Sequence, residues 1–299
     1  MTSIISSLTP AQVHTLSTTA IAGLKTTDIG ALSTSQAAQL TATQLNTLNT
    51  TDLQFLVTTQ IQALAPSVVA ALVTLQIQNF STTQIGELTS TQVAALTTSE
   101  IGALTSTEVH NLTTTQANAL TSAQLGGLTT TAINNLSTTQ VTALSSTQLH
   151  GLSTTQLNNL TTVNLDAVTA ANLSVGQAAG LNTTAITNLT TTQVGAITST
   201  EIGALSATQL NALTTTEIGS LTTGQAQGLT AAQLGGLTTT QFGALSSTTA
   251  IPALTTAALA GLTTLEIAAL TTTQGNAFTA SQVGALTDAQ ASALVTLVG

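Results

Sequence analysis

The stretch that decides the fold is LTSTQVAAL, residues 88–96. Its pattern, L-[ST]-x-x-[QE]-[VIL]-x-[AGN]-L, returns every eight residues along most of the chain. We number each octad from the residue after the leucine, so Thr89 is position 1 and Leu96 is position 8. The chain is therefore expected to be an array of short repeats rather than a pair of ordinary domains.

Each octad carries two local signals for the start of a helix. A Ser or Thr followed three residues later by Gln or Glu forms a capping box, so Thr89 is predicted as the N-cap and Gln92 as N3. Leu88 before the cap and Val93 at N4 form a hydrophobic staple, which fixes how the chain enters the helix. We therefore predict one very short capped helix in each octad, closed by the leucine at position 8.

The prolines and the acidic residues support this helical register. Pro10 and Pro66 fall at the first helical position, where a missing N–H costs nothing. Negative charge is favoured in the first helical turn, and most acids lie there. Those at N3 are Asp28, Asp52, Glu100, Glu108, Glu201, Glu217 and Glu266, and Asp288 falls at N1, whereas Glu87 and Asp166 lie elsewhere.

The fold class expected from this pattern is an all-α repeat solenoid. Helices this short are far below the ~12–15 residues that survive alone in water, so stability has to come from stacking of neighbouring repeats. The alternative is a β-solenoid, since Thr and Val favour strands. The octad does not alternate as a half-buried strand should. How many octads form one superhelical turn is not readable from the pattern.

Two repeats depart from the eight-residue period. The array keeps one phase over residues 1–168, and residues 169–173 form a repeat that is three residues short. Octads resume over 174–294, with a nine-residue repeat at 246–254, and 295–299 are left over as a tail. We interpret 169–173 as a kink in the array rather than a domain boundary.

Composition excludes several classes of function. The formal net charge is −9 and Lys25 is the only base, which argues against binding nucleic acid or anionic membranes. The chain has no cysteine, hence no disulfide and no thiolate site. No apolar run approaches the ~18 residues that span a bilayer.

Few side chains could carry chemistry, and we expect neither an enzyme nor a cofactor or metal site. His14, His110 and His150 all fall at position 6, which we interpret as an exposed position, because nothing brings them together as zinc ligands. The N3 carboxylates are explained by helix capping. Rows of threonine can bind ice or a crystal surface, but this needs a flat face. Short helices give a corrugated face instead.

The octads resemble repeat tracts in a known group of proteins. Runs such as LTTTQVGA (189–196) and LTSAQLGG (120–127) are similar to octapeptide tracts of very large secreted bacterial surface proteins, often labelled haem utilisation or adhesion proteins. The resemblance covers nearly the whole chain and implies an exported protein with a structural or adhesive role. It implies no haem ligand, since no histidine here matches a family motif.

These features predict a structural protein of the cell surface or exterior that self-associates head to tail into a fibre or layer. The alternative is an adhesin stalk or a scaffold that binds another protein or a glycan. Heterologous contacts that do not close give filaments, and the apolar ends of the sequence suit such contacts. The alternatives are that the chain is a segment of a longer array, or that each end frays and folds back. The residues expected at those assembly ends are Ile4, Ile5, Leu8, Leu294, Val295, Leu297 and Val298.

Overall fold

The computed structural model describes residues 4–299. Within this range the chain forms 34 α-helices and three 3₁₀ helices, and none of these residues lies in a β-strand. The protein is therefore an all-α repeat solenoid, as the octad pattern predicts. The β-solenoid alternative is wrong, because the described residues form no β-strand and the capping bonds of most octads begin a helical turn instead.

The chain divides into two compact blocks between Leu152 and Ser153. This division is not at the short repeat 169–173. We call the parts the N-terminal block and the C-terminal block.

The helices of the N-terminal block are η1 (Ile4–Ser7), α1 (Pro10–Thr15), α2 (Thr18–Ala22), α3 (Thr26–Gly30), α4 (Thr34–Ala37), α5 (Ala42–Leu45), α6 (Thr50–Gln54), α7 (Thr58–Ala63), α8 (Pro66–Val69), α9 (Thr74–Asn79), α10 (Thr82–Gly86), α11 (Ser90–Ala95), α12 (Thr98–Gly102), α13 (Ser106–Asn111), α14 (Thr114–Ala119), α15 (Ser122–Gly127), α16 (Thr130–Asn134), α17 (Thr138–Thr142) and α18 (Ser146–Leu149).

The helices of the C-terminal block are α19 (Thr154–Asn158), α20 (Thr162–Ala167), η2 (Ala170–Asn172), α21 (Val175–Gly180), α22 (Thr183–Thr187), α23 (Thr191–Ala196), α24 (Ser199–Ala204), α25 (Ala207–Ala212), α26 (Thr215–Gly219), α27 (Thr223–Gly228), α28 (Ala231–Leu234), α29 (Thr239–Gly243), η3 (Ile251–Ala253), α30 (Thr256–Leu259), α31 (Thr264–Ala268), α32 (Thr272–Gly275), α33 (Ala280–Val283) and α34 (Asp288–Val298).

Helix α11 shows how one octad folds. The Thr89 hydroxyl accepts a hydrogen bond from the Gln92 backbone N–H, and the Gln92 carboxamide accepts one from the Thr89 backbone N–H at 2.8 Å. The helix ends after six residues, because Leu96 turns out of helical geometry at φ −58° and ψ 144°. Its N–H still bonds to the Val93 carbonyl. The predicted cap, capping box and closing residue are confirmed in this octad.

Stacking of repeats follows one rule in both blocks. Within a block, a helix packs against the helix three repeats further along the chain, as α11 does on α14 and α24 on α27. Hydrogen bonds also reach the fourth repeat back, as from Gln44 to the carbonyls of Val13 and Leu16. One superhelical turn therefore holds between three and four repeats.

The core of each block is built from positions 5 and 8 of successive octads. Val93 and Leu96 in the N-terminal block are 1% and 4% exposed, and Leu234 in the C-terminal block is fully buried. Threonine and serine at positions 2 and 3 lie mostly on the surface, like Thr91. Within each block the core is thus an apolar strip to which most octads contribute positions 5 and 8.

Close backbone approach explains some of the glycines. A Cβ on Gly151 would lie 2.1 Å from the Ser122 carbonyl oxygen, and one on Gly228 would lie 2.2 Å from that of Ser199. Both glycines occupy position 7, which the pattern restricts to small residues. Their role is to let the backbones of two stacked repeats touch.

The irregular repeats keep their places in the stack. The five-residue repeat forms η2 and packs against α23, three repeats on. Gln193 bonds to the carbonyls of Leu165 and Val168, 28 and 25 residues earlier, where a regular octad would give 31 and 28. A single 3₁₀ turn therefore fills the space of a full octad. Residues 295–298, left over by the pattern, continue α34.

Replacing Thr89 by Ala is predicted to destabilise α11 by ~0.5–2 kcal/mol, the range for a lost N-cap hydrogen bond. The matched control Thr91→Ala removes an exposed hydroxyl at position 3 that lies 3.0 Å from the Thr89 hydroxyl but caps no backbone N–H, and it should change stability by less than ~0.5 kcal/mol. Amide hydrogen exchange of residues 90–96 would measure the local opening free energy. Equal effects at the two positions would contradict the capping role of position 1.

Candidate functional site: a glutamine ladder between turns

The side chains at position 4 lie inside the solenoid and join its turns. Gln92 is 1% exposed. Its Oε1 accepts the N–H of its own N-cap, and its Nε2 donates to the carbonyl oxygens of Ile61 and Leu64, both at 2.8 Å. These carbonyls lie at positions 5 and 8 of the fourth repeat back. One carboxamide thus starts its own helix and holds the C-terminal end of another.

This arrangement recurs in both blocks, and we call it the glutamine ladder. Its members all donate from Nε2 to carbonyls of the fourth repeat back. In the N-terminal block they are Gln36, Gln44, Gln60, Gln76, Gln84, Gln92, Gln116, Gln124, Gln140 and Gln148. In the C-terminal block they are Gln193, Gln209, Gln225, Gln233, Gln241, Gln274, Gln282 and Gln290.

Glutamine suits this position because its carboxamide offers an acceptor and two donors on one flexible side chain. The acceptor serves an N–H that a helix start leaves unpaired, and the donors serve carbonyls that a helix end leaves unpaired. A buried carbonyl without a donor costs ~1–3 kcal/mol, so each ladder glutamine removes that penalty at a neighbouring turn. The ladder therefore stabilises stacking without any charged group.

Glutamate at position 4 supplies only half of this function. Glu100 is 2% exposed, and its Oε2 accepts the Thr97 N–H at 2.6 Å. An ionised carboxylate has no donor for the carbonyls 28 and 31 residues earlier, which belong to Leu72 and Val69. The Leu72 carbonyl oxygen accepts no hydrogen bond from any residue within 4–299. Glutamate rungs thus cap their own helix but do not join it to the turn before.

Position 6 forms a second set of contacts between turns. Side chains there reach the carbonyl at position 7 three repeats later: Gln62 Nε2 lies 3.1 Å from the Glu87 oxygen, and Asn211 Nδ2 lies 2.8 Å from that of Gly236. Asn46 bonds twice, donating to the Ala71 carbonyl and accepting the Val73 N–H. This outer row lies at the surface and parallels the buried ladder.

Two of the three histidines belong to this outer row. His14 Nδ1 lies 2.9 Å from the Gln39 carbonyl oxygen, and His110 Nδ1 lies 3.0 Å from that of Asn135. Because a carbonyl only accepts, Nδ1 carries the proton in both rings. All three histidines, including His150, are exposed, as predicted. Between residues 4 and 299 no group of three or more His, Asp or Glu could hold a metal ion.

Two rungs of the ladder are altered by the outer row. At Gln76 the N-cap N–H of Val73 bonds to Asn46 Oδ1, and Gln76 Oε1 accepts from Asn79 Nδ2 instead.

At Gln241 no replacement donor is present. The Thr238 N–H, which Gln241 Oε1 would normally accept, bonds instead to Asn211 Oδ1 at 2.9 Å. Gln241 Oε1 is consequently the one buried side-chain polar atom in the described range without a hydrogen-bond partner. Its Nε2 still donates to the Leu213 carbonyl, so the connection between turns survives the loss of the capping bond.

The residues expected at assembly ends differ in exposure. Ile4 and Val295 are 73% and 67% exposed, whereas Ile5 and Leu294 are 1% and 5% exposed. Leu8, Leu297 and Val298 are half-buried. The apolar surface that remains outside is therefore smaller than the sequence pattern indicates. Within the described range no helix is both long and apolar enough to cross a membrane.

The sequence pattern predicts the capping half of the ladder but not the connection between turns. A capping box accepts Gln or Glu equally, so it does not explain why glutamine is the commoner residue at position 4. That preference is the available signal, because only the carboxamide carries donors. The repeats that the donors reach depend on the number of octads per turn, which the pattern does not state.

Fold and ladder together define an all-helical repeat protein whose turns are joined by side-chain-to-backbone hydrogen bonds. The ALTTAQ repeat family model matches this chain over residues 69–98 and 122–154. Both matched segments consist of regular octads. No curated protein matches the chain.

Exchanging the two residue types at position 4 tests the ladder. Gln92→Glu is predicted to destabilise the protein by ~1–3 kcal/mol, because it leaves the Leu64 carbonyl without a donor. Glu100→Gln is predicted to stabilise it by ~0.5–1.5 kcal/mol for each new hydrogen bond. Urea unfolding would measure the change in the free energy of unfolding of each variant. Amide hydrogen exchange of residues 61–72 would show whether the change arises at the expected carbonyls.

Glu87→Gln is the matched control, because it removes the same charge at position 7, away from the ladder. If Glu87→Gln stabilised the protein as much as Glu100→Gln, the gain would come from lowering the net charge. The proposed donor role would then be wrong.

Proposed function

We propose that this chain is a structural, non-catalytic protein that associates with copies of itself into a fibre or surface layer outside the cell. The observation that carries the proposal is that the contacts joining successive turns repeat along each block. They run from glutamine donors to carbonyl acceptors of an earlier repeat. A surface built from such contacts at one edge of an array complements the surface at the opposite edge.

In the described chain, some glutamine donors and some carbonyl acceptors of the kind used between turns have no hydrogen-bond partner. Gln12 caps its own helix through Oε1, but its Nε2 has no hydrogen-bond partner among residues 4–299, and the side chain is exposed. Among the last octads, the carbonyl oxygens of Phe278 and Leu286 accept no hydrogen bond from the described residues. Donors on the first surface and acceptors on the second support a head-to-tail contact, which need not close.

An exposed apolar side chain lies in the same octad as the unpaired Leu286 carbonyl. Val283 occupies position 5, which is almost fully buried in interior octads, yet it is 43% exposed. A repeat stacked on α33 would cover it, and burying a valine contributes up to ~1.5–3 kcal/mol. The unpaired hydrogen-bonding groups and the exposed valine therefore both favour stacking of another repeat on α33.

The surface composition also favours association between like molecules. Only 4% of the residues are charged, so solvation depends mainly on hydroxyl and amide groups. Weak charge repulsion lets copies lie close together over a wide range of salt concentration. The extracellular location rests on the resemblance to octad tracts of secreted surface proteins. With Lys25 as the only base, we do not propose a nucleic-acid partner.

The purified chain is predicted to form particles that lengthen with protein concentration and change little with salt. Light scattering over a concentration series and electron microscopy would measure this. Val283→Lys should block growth by placing a desolvated charge in the contact. The control Val163→Lys makes the same change at an exposed position on α20, 63% exposed, and should leave growth intact. A wild type that stays a monodisperse monomer at high concentration would contradict the fibre and favour the stalk.

A further inference from the structure

We propose that the glutamates at position 4 take up a proton in the folded chain, and that the neutral carboxyl group then donates to the carbonyl that a ladder glutamine would hold. Mild acid thus completes the ladder at these rungs. This inference concerns contacts within one chain and stands independently of the self-association proposed above.

Every glutamate rung in the described range leaves the same kind of group unpaired. The rungs are each at most 5% exposed and are Glu100, Glu108, Glu201, Glu217 and Glu266. In the fourth repeat back from each, the closing carbonyl oxygen accepts no hydrogen bond from any residue within 4–299. These oxygens belong to Leu72, Phe80, Leu173, Leu189 and Leu237. An ionised carboxylate can only accept, so it stands where these carbonyls need a donor.

Glu217 on α26 shows how such a carboxyl group is held. Its Oε2 accepts the Thr214 N–H at 2.7 Å, the same bond that Gln225 Oε1 makes with the Thr222 N–H one repeat later. Gln225 Nε2 donates to the Ile197 carbonyl at 2.8 Å. By this correspondence Glu217 Oε1 takes the place of the donor, and it has no hydrogen-bond partner within residues 4–299.

A proton on Oε1 supplies what this place lacks. The neutral carboxyl group carries one O–H donor and keeps a carbonyl oxygen, so the Thr214 N–H is still accepted while the O–H bonds to the Leu189 carbonyl. An O–H···O bond spans about 2.5–3.0 Å, so a proton needs no more room than a ladder amide does. Protonation also removes the cost of holding an ionised carboxylate away from water.

No neighbouring charge competes for Glu217. The helices that pack on α26 are α23 and α29, and neither carries a charged or titratable residue. The adjacent helices α25 and α27 carry none, and neither does α22, which precedes the Leu189 carbonyl. The proton is therefore not replaced by an ion pair at this rung.

The direction of the pH effect follows from where the proton is bound. In the folded chain the proton joins Glu217 to the Leu189 carbonyl, whereas in the unfolded chain the carboxyl group bonds only to water. The folded chain therefore binds the proton more tightly. The stabilisation is complete at low pH and is lost as the pH rises.

Urea unfolding of the wild type, E217Q and the control E87Q at pH 7 and at about pH 3 tests the proposal. All measurements are made in 1 M KCl, where exposed charges are screened beyond about 3 Å. At pH 7 the unfolding equilibrium constant of E217Q should be about tenfold smaller than that of the wild type, which corresponds to ~1.4 kcal/mol.

This advantage should fall below about twofold at the lower pH, because glutamate side chains ordinarily titrate near ~4.3 and the wild-type carboxyl group is then itself a donor. E87Q removes a charge at position 7, away from the ladder, and should match the wild type at both pH values.

The carbonyl ¹³C resonance of Leu189 reports the new bond directly. Acidification should shift it in the wild type but not in E217Q, where the carboxamide already donates. The Ile197 carbonyl is held by Gln225 at either pH, so its resonance should stay in place in both proteins.

Four results would overturn the proposal. An E217Q advantage that persists at the lower pH would show that the protonated carboxyl group does not donate. An equal gain from E87Q would assign the effect to net charge. A wild type that loses stability relative to E217Q on acidification would show that the folded chain prefers the ionised form. A Leu189 resonance that does not move while stability rises would assign the gain to loss of charge alone.

Discussion

The structure depends on one side-chain carboxamide that serves two helices at once. A helix of four to six residues satisfies few of its own backbone groups, so almost every N–H at its start and every C=O at its end needs an outside partner. Position 4 glutamine meets both needs, with Oε1 on its own N-cap and Nε2 on a carbonyl of the fourth repeat back. Without it, stacking would bury unpaired carbonyls along the core.

This interaction also explains why the array tolerates irregular repeats. The five-residue and nine-residue repeats change the chain length between rungs, yet Gln193 and Gln274 still reach the residue that closes the fourth repeat back. The ladder depends on where turns end in space, not on how many residues lie between them. A solenoid joined in this way can vary repeat length and surface residues while keeping one core. It also presents similar donor and acceptor groups at each successive turn.

Local features of the fold were predictable because they act within one octad. The N-cap at Thr89 and the N3 acids follow from hydrogen bonds that span three residues. Pro10 fits N1 because a helix needs no N–H donor at that position. The ladder was not predictable from the same pattern, because its partners lie 28 and 31 residues apart and that separation is set by packing between helices. The exposure of His14 and His110 was predicted correctly, but their carbonyl partners follow the same long-range spacing and were missed.

Exchange of glutamine side-chain amide protons tests the ladder most directly. Gln12 and Gln92 make the same capping bond through Oε1, but only Gln92 also donates from Nε2 to another turn. With ¹⁵N-labelled glutamine, the Nε2 protons of Gln92 should exchange at least about tenfold more slowly than those of Gln12, which corresponds to ~1.4 kcal/mol of local opening. Equal exchange at Gln92 and Gln12 would contradict the account, because the turns would then be held by apolar packing alone.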